Sequence, residues 1–355
     1  MVRRLDSRQW RSHGAAEAAN VLYVTAARVD RPIFFLGMPR SGTTLVFEVL
    51  AAHEELAWLS QHLQRSPRLP MLAALSRLTD VTPRMRRSVS RSDQLRPALE
   101  RLRIGPVEAY GFWEDCCGEK FRYDYLLGVR ARREECDCVR SRIARVTRFQ
   151  GKQRFAAKIT GPGRIGYLTS IFPDARLVHV IRDGRAVVSS LLRVGFWRER
   201  DRMNQPAWRN GLTARDLEDW NRYERSSLAL AAVQWRRVIH STRAEAERIA
   251  PDRYAEIQYE RFVRDPRGVL RAVEAHCELK PSSSAERFLD ARFELRDMNV
   301  QWRKRFKPDQ VEVLSELLGP TLSAVGYPRD PPTDWVRGPA LRHPFSPTAD
   351  LDAAR

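Results

Sequence analysis

Residues 34–45 read FFLGMPRSGTTL, an apolar run followed by a loop with two glycines and then by residues at helical spacing. The pattern predicts a strand, a tight loop and a helix whose free N-terminal N–H groups face the loop. Gly37 and Gly42 allow a ligand to approach the backbone closely, and the loop hydroxyls add further donors. Arg40 supplies a guanidinium suited to an oxyanion. We therefore predict that this loop binds a phosphate-like group.

The two glycines have the spacing of a Walker loop, but the lysine of that loop is missing. The residue after Gly42 is Thr43, where a nucleoside triphosphatase has its phosphate-binding lysine. The positive charge lies instead inside the loop, at Arg40. This arrangement favours a nucleotide 5′-phosphosulfate over a magnesium-bound triphosphate. A nucleotide or small-molecule kinase is therefore the less favoured alternative.

A second strand, turn and helix start is encoded by residues 172–190, which read FPDARLVHVIRDGRAVVSS. Arg182 falls at the carboxyl end of the strand, where the ligands of open α/β sheets collect. Ser190 follows two turns into the helix, so these two residues are suited to a second phosphate. His179 lies within the strand pattern, and we expect it in the core.

The two motifs together closely resemble those of the sulfotransferases that use 3′-phosphoadenosine 5′-phosphosulfate (PAPS), and their bacterial branch especially. In that family the first motif binds the 5′-phosphosulfate and the second binds the 3′-phosphate. The resemblance therefore implies a 5′-phosphosulfate site made by Pro39, Arg40, Ser41, Gly42, Thr43 and Thr44. It also implies a 3′-phosphate site made by Arg182 and Ser190.

Two later segments look like further parts of the same family, YERFVRDP at 259–266 and WRK at 302–304. The resemblance implies that Tyr259 lies near the adenine, and that Arg303 and Lys304 lie near the 3′-phosphate. Residues 254–259 also read as a core strand, so packing alone explains Tyr259 equally well.

Short β-branched or aromatic runs alternate with helical patterns along the chain, at 33–36, 56–59, 155–159, 177–181 and 254–259. Alternation of this kind predicts an α/β fold with a central parallel sheet flanked by helices, and the resemblance implies the P-loop-like, three-layer form. Family segments run from Gly37 to Lys304, which favours one domain at 31–327. We expect an N-terminal helical extension at 1–30 and a Pro-rich tail at 328–355.

Lys158 lies near the end of the third run, 155–159, and resembles the catalytic lysine that contacts the sulfate and the leaving group in the family. With Arg40, it is expected to stabilise the charge that builds on the bridging oxygen. Many members have a Lys-x-His element whose histidine takes the acceptor proton, but residues 158–160 read KIT. A threonine hydroxyl cannot act as a general base at neutral pH, so the proton must go elsewhere.

Four side chains are candidates for the missing base. They are Glu108, Glu114, His53 and His62. The segment PVEAYGFW at 106–113 surrounds Glu108 with aromatic residues, which raise the pKa of a carboxyl group and favour Glu108. The resemblance implies PAPS as co-substrate, adenosine 3′,5′-bisphosphate (PAP) as product, and no metal.

The composition of the chain indicates the charge of its ligand, its location and the state of its cysteines. The 62 Lys and Arg residues against 44 Asp and Glu residues give a formal charge of +18, which predicts an anionic ligand and leaves a polyanion-binding protein as a second alternative. No apolar window is long enough for a membrane span, and residues 1–31 lack the pattern of a signal peptide, so we predict a cytoplasmic protein. Five cysteines, an odd number, favour reduced thiols over a disulfide framework, and their spacing lacks the C-x2-C pattern of a zinc site.

The acceptor is left open, since hydroxyls of sugars, lipids, phenols and other small molecules all fit. Six aromatic residues are suited either to an acceptor pocket or to the core: Tyr110, Phe112, Trp113, Phe196, Trp197 and Trp208. A nucleic-acid partner is not expected, because no zinc finger or RNP-type signature is present. A homodimer is left open.

Overall fold

The computed structural model describes residues 29–81, 104–202, 204–292, 301–328 and 338–345. The predicted N-terminal extension lies almost entirely outside these ranges, as does most of the predicted C-terminal tail. Within the tail, residues 338–345 lie against the sheet, where Arg342 exchanges backbone hydrogen bonds with Glu256. The proposed division into extension, domain and tail stays a prediction.

Five parallel strands form the central sheet in the order β2-β3-β1-β4-β5. Their bounds are β1 Ile33–Gly37, β2 Leu56–Ala57, β3 Arg154–Thr160, β4 Arg176–Ile181 and β5 Tyr254–Gln258. The predicted α/β fold with a parallel sheet is confirmed. The second strand is shorter than predicted, because the Gln150 side chain bonds both the N–H and the C=O of Trp58 and ends the ladder there.

Helices connect the strands and cover both faces of the sheet. They are α1 Thr43–Leu50, α2 Gln61–Arg65, α3 Leu78–Val81, α4 Tyr110–Cys117, α5 Lys120–Tyr123, α6 Arg133–Gln150, α7 Ile165–Ile171, α8 Gly184–Leu191, α9 Gly195–Arg202, α10 Ala214–Arg222, α11 Ser227–Ile249, α12 Tyr259–Arg264, α13 Pro266–His276, α14 Ser283–Arg292, α15 Gln301–Arg305 and α16 Pro308–Ala324, with 3₁₀ turns at Pro70–Arg77 and Pro251–Arg253.

Alternation along the strands builds two cores, one on each face of the sheet. Phe34 and Leu36 point to the face covered by α4, α6 and α7, whereas Ile33 and Phe35 point to the face covered by α1, α13 and α14. A third cluster is formed by α8, α11 and α16 and includes Ile181, the last residue of β4. The sheet is therefore the middle layer of three.

Polar side chains of β4 and β5 form a buried hydrogen-bonded group with Arg243 of α11. Glu256 of β5 accepts hydrogen bonds from Arg243 at 2.7 Å and from the Tyr254 hydroxyl at 2.9 Å. His179 lies in the core as predicted, 2.6 Å from the Tyr254 hydroxyl. Burial lowers the pKa of His179 to about 4, so this residue stays neutral at physiological pH.

The prediction that the cysteines are reduced is wrong for one pair. Cys116 of α4 and Cys138 of α6 form a disulfide, with their Cα atoms 5.7 Å apart. Packing of these two helices brings the side chains together across 22 residues of sequence, a contact that spacing does not reveal. Cys117, Cys136 and Cys277 are free thiols.

Two features are absent from the described ranges. Within them, no helix combines the length and the apolar character that crossing a membrane requires. The same ranges contain no group of three or more histidine, cysteine, aspartate or glutamate side chains that could hold a metal ion.

Candidate active site

The loop between β1 and α1 turns sharply at the carboxyl edge of the sheet. Arg40 and Gly42 both have left-handed backbones, with φ of 74° and 81°. The hydroxyls of Ser41 and Thr43 are buried, and in the described part of the protein neither has a hydrogen-bond partner. Buried polar atoms are normally hydrogen-bonded, so these two hydroxyls, together with the N-terminal N–H groups of α1, fit an oxyanion held by the loop.

Three strand ends meet at this loop. Arg182 follows β4, and its Nη1 donates to the backbone oxygen of Arg40 at 3.1 Å. The Arg182 guanidinium lies 4.6 Å from the ring centroid of Tyr259, which follows β5. Only 7% of Tyr259 is exposed, and its ring packs directly on Gly42. The structure thus brings these predicted nucleotide-binding residues together.

The far end of the loop contacts α8. Arg40 Nε donates to the Ser190 hydroxyl at 2.9 Å, so the two predicted phosphate motifs touch directly. Arg303 and Lys304 are exposed on α15, a helix whose Trp302 packs beneath the Arg185 guanidinium at 4.8 Å. The predicted late basic residues therefore lie on a helix that packs against the one carrying Ser190.

Lys158 connects the loop to the segment that precedes α4. Its Nζ donates to the Thr44 hydroxyl at 2.6 Å and lies 3.3 Å from Glu108 Oε1. The same carboxylate accepts a 3.0 Å hydrogen bond from the Thr160 hydroxyl. Tyr110 donates to the Thr160 backbone oxygen at 2.6 Å, and burial raises the pKa of this phenol to about 12, which keeps it a donor.

The other candidates for the base lie elsewhere. His53 is buried, with Nε2 2.9 Å from the backbone oxygen of Lys280. Glu114 pairs with Arg122 at 3.1 Å, and His62 lies on the short helix α2. Of the four candidates, only Glu108 forms an ion pair with Lys158 among the residues that the structure describes.

A cleft of about 480 Å³ connects the phosphate loop with Glu108 and the residues around it. One end is lined by the phosphate loop with Arg182 and Tyr259, and the other by Glu108, Thr160, Tyr110, Arg122, Phe196 and Trp208. A second cavity, of about 390 Å³, lies beside Lys158 and is lined also by Glu48, Gln61 and Gln64. Thr44, Glu108 and Tyr110 line both spaces.

Residues 32–283, well over half of the chain, match the family model described as the sulfotransferase family. The chain belongs to this family. The parallel sheet with its phosphate loop is the P-loop-like fold that the resemblance implied. No curated protein matches the sequence of this sulfotransferase.

Solved structures of other sulfotransferases are similar to the present one. Sulfotransferase STF9 from Mycobacterium avium is 19% identical, with a TM-score of 0.54, and the match covers 88% of this chain and 81% of that one. STF1 from Mycobacterium tuberculosis H37Rv is 15% identical, with a TM-score of 0.43 and coverages of 86% and 81%. Mouse SULT7A1, solved in complex with PAP, is 14% identical, with a TM-score of 0.41 and coverages of 84% and 87%.

The fold divides the six aromatic residues of interest into two groups. Phe112, Trp113 and Trp197 are at most 1% exposed and belong to the cores of this sulfotransferase. Tyr110, Phe196 and Trp208 line the cleft, and Trp208, which is 8% exposed, also belongs to the third cluster. The lining residue Arg122 was not predictable from the sequence, because its place depends on how α5 packs against α4.

Replacing Gly42 by alanine is expected to lower the free energy of unfolding by about 2 kcal/mol, since a left-handed backbone is strained for alanine. The new Cβ would also lie 2.1 Å from Tyr259 Cδ2, so the ring must move and PAP binding should weaken. Denaturant unfolding and PAP titration measure the two effects. The matched control is Gly319→Ala in α16, where a Cβ meets nothing within 4 Å. Equal behaviour of the two variants would contradict the prediction.

Proposed function

We propose that this sulfotransferase transfers a sulfuryl group from PAPS to a hydroxyl or amine of an acceptor, with Glu108 as the general base. The observation that carries the proposal is the cluster in which Lys158 contacts both Thr44 of the phosphate loop and Glu108. A cation, a phosphate loop and a carboxylate within hydrogen-bond reach are what in-line transfer to an alcohol requires.

The donor end of the cleft is suited to a nucleotide with two phosphate groups. The loop from Pro39 to Thr44 offers backbone N–H groups and the two buried hydroxyls to the 5′-phosphosulfate. Arg182 and Ser190 are the groups for the 3′-phosphate, and Arg40 bridges the two sites through its hydrogen bond to Ser190. The Tyr259 ring, packed on Gly42, is positioned for the base.

PAPS supplies an activated sulfuryl group whose bond to the bridging phosphate oxygen is the one that breaks. Glu108 accepts the acceptor proton as the acceptor oxygen forms its bond to sulfur. The bridging oxygen leaves with the bonding electron pair as part of PAP, and Lys158 and Arg40 stabilise the negative charge that it gains. Glu108 lies beside Thr160, where many relatives have histidine, so a carboxylate takes over the role of that base.

Isothermal titration with PAP, compared with ATP plus magnesium, tests the donor site. We expect PAP to bind, and Arg182→Ala to weaken its binding about 10- to 100-fold, because a charge-assisted hydrogen bond is lost. The matched control is Arg267→Ala, which removes an arginine paired with Asp290 on the surface. Preference for ATP would overturn the proposal in favour of a kinase, and absence of nucleotide binding would favour a polyanion-binding protein.

The cytoplasmic location and the homodimer stay predictions. Disulfides are uncommon in reducing compartments, so the Cys116–Cys138 bond does not favour the predicted cytoplasmic location.

A further inference from the structure

The 3₁₀ turn at Pro70–Arg77 and the helix α3 that follows it hold their large apolar side chains towards solvent. Buried positions recur at every third residue, as a helix with about three residues per turn requires, and they carry short side chains: Ala73, Ser76 and Thr79. The large side chains are 38% to 84% exposed, and we call them the apolar ridge: Leu69, Met71, Leu75, Leu78 and Val81. A helix that packs on a core has the reverse arrangement.

The apolar ridge holds most of the strongly exposed apolar side chains in the described part of the chain. Nine large apolar residues there are at least 37% exposed, and five of them belong to the ridge. Single exposed apolar residues are ordinary on protein surfaces, whereas a cluster marks a contact with a partner or a membrane. The segment packs on α6 and α2, which fixes the ridge in place. It is therefore a preformed contact surface.

Positive charge accompanies the apolar ridge. Arg65 precedes it and Arg77 lies within it, and both are exposed and form no ion pair with any described residue. Arg68 is also exposed, although it pairs with a carboxylate of α4. The acidic residue of the segment, Asp80, is neutralised by Lys152 at 2.8 Å. A partner that covers the ridge therefore meets an excess of positive charge.

This charge decides between the possible partners. Residues 82–103, which follow the ridge in the sequence, contain seven arginines and two acidic residues, so they do not supply the missing negative charge. Two copies of the chain, paired through their ridges about a twofold axis, would bring the two sets of arginines together. Like charges that meet at an interface are costly. An anionic partner complements both the arginines and the apolar side chains.

We propose that the apolar ridge binds the surface of an anionic lipid bilayer. The large side chains enter the boundary between headgroups and acyl chains, while Arg65 and Arg77 contact the lipid phosphates. Val81, at 84% exposure, and Met71, at 57%, protrude from the surface. Protruding side chains suit a fluid bilayer, which needs no complementary pocket for each of them. The inference goes beyond sulfuryl transfer and does not depend on it.

Co-sedimentation of the full-length protein with lipid vesicles tests this inference. We expect the protein to bind vesicles made of equal parts phosphatidylglycerol and phosphatidylcholine, and to bind pure phosphatidylcholine vesicles at least about tenfold more weakly. Leu78→Ser should lower the partition coefficient on the mixed vesicles about tenfold, because burial of one leucine is lost. Leu217→Ser is the matched control, since Leu217 is similarly exposed, at 43%, on α10.

The two leucine variants separate the ridge from the overall charge of +18, which attracts any anionic surface. Equal partition coefficients of the two variants would overturn the inference, because the protein would then bind through its basic surface as a whole. No binding of the unaltered protein to the mixed vesicles would overturn it as well. A dimer that Leu78→Ser dissociates, seen by sedimentation equilibrium, would assign the ridge to a second copy instead. Circular dichroism confirms that each variant is folded, and PAP titration tests the proposed function separately.

Discussion

Lys158→Met is expected to lower kcat for sulfuryl transfer by about 10²- to 10³-fold, the range found when a preorganised charge-stabilising donor is removed. Methionine approximates the length and volume of the lysine stem, so the buried position stays filled. The substitution removes the cation that contacts Thr44 and Glu108. PAP lacks the sulfuryl group, so its affinity should change only a few-fold. The Lys158→Met variant should therefore lose kcat while it keeps most of its affinity for PAP.

The control for this variant is Lys152→Met. Lys152 also pairs with a carboxylate, Asp80 at 2.8 Å, but it precedes β3 at the amino edge of the sheet. Any general effect of removing a lysine should appear in both variants, whereas the loss of kcat should appear only in Lys158→Met. A Lys158→Met enzyme with normal kcat would remove this residue from the mechanism.

The fold was largely predictable because its determinants are local in the sequence. Each strand is a short apolar run, and both phosphate motifs consist of residues that are adjacent in the chain. The length of β2 was not predictable, since it depends on a side chain 92 residues away, Gln150, which bonds the backbone of Trp58. The Cys116–Cys138 pair likewise depends on packing between helices.

The donor loops could be located from sequence, but the acceptor side could not. Sequence offered four candidate bases and favoured Glu108 only through its aromatic neighbours, whereas the contacts that distinguish Glu108 join it to Lys158 and to Thr160, which is 52 residues away. The aromatic residues near it in sequence divide between core and cleft according to the orientation of α4. No periodic pattern in this short segment reports that orientation.

Glu108→Gln is expected to lower kcat with 2-naphthol by about 10²- to 10⁴-fold, the usual contribution of a general base. Glutamine keeps the shape of the side chain and an oxygen that can accept from Thr160, so the site should stay ordered. PAP affinity should be nearly unchanged. Glu114→Gln is the control, because Glu114 was another candidate from sequence and pairs instead with Arg122.

A second acceptor distinguishes a base from a residue that only shapes the site. The phenol 4-nitrophenol is acidic enough to be largely ionised at mildly alkaline pH, so it needs no proton acceptor there. If Glu108 removes the proton, Glu108→Gln should lose far less activity with 4-nitrophenol than with 2-naphthol under those conditions. A structural role would reduce both rates by the same factor. Equal losses would therefore assign Glu108 to positioning Lys158 and Thr160, and the proton would have to leave by another route.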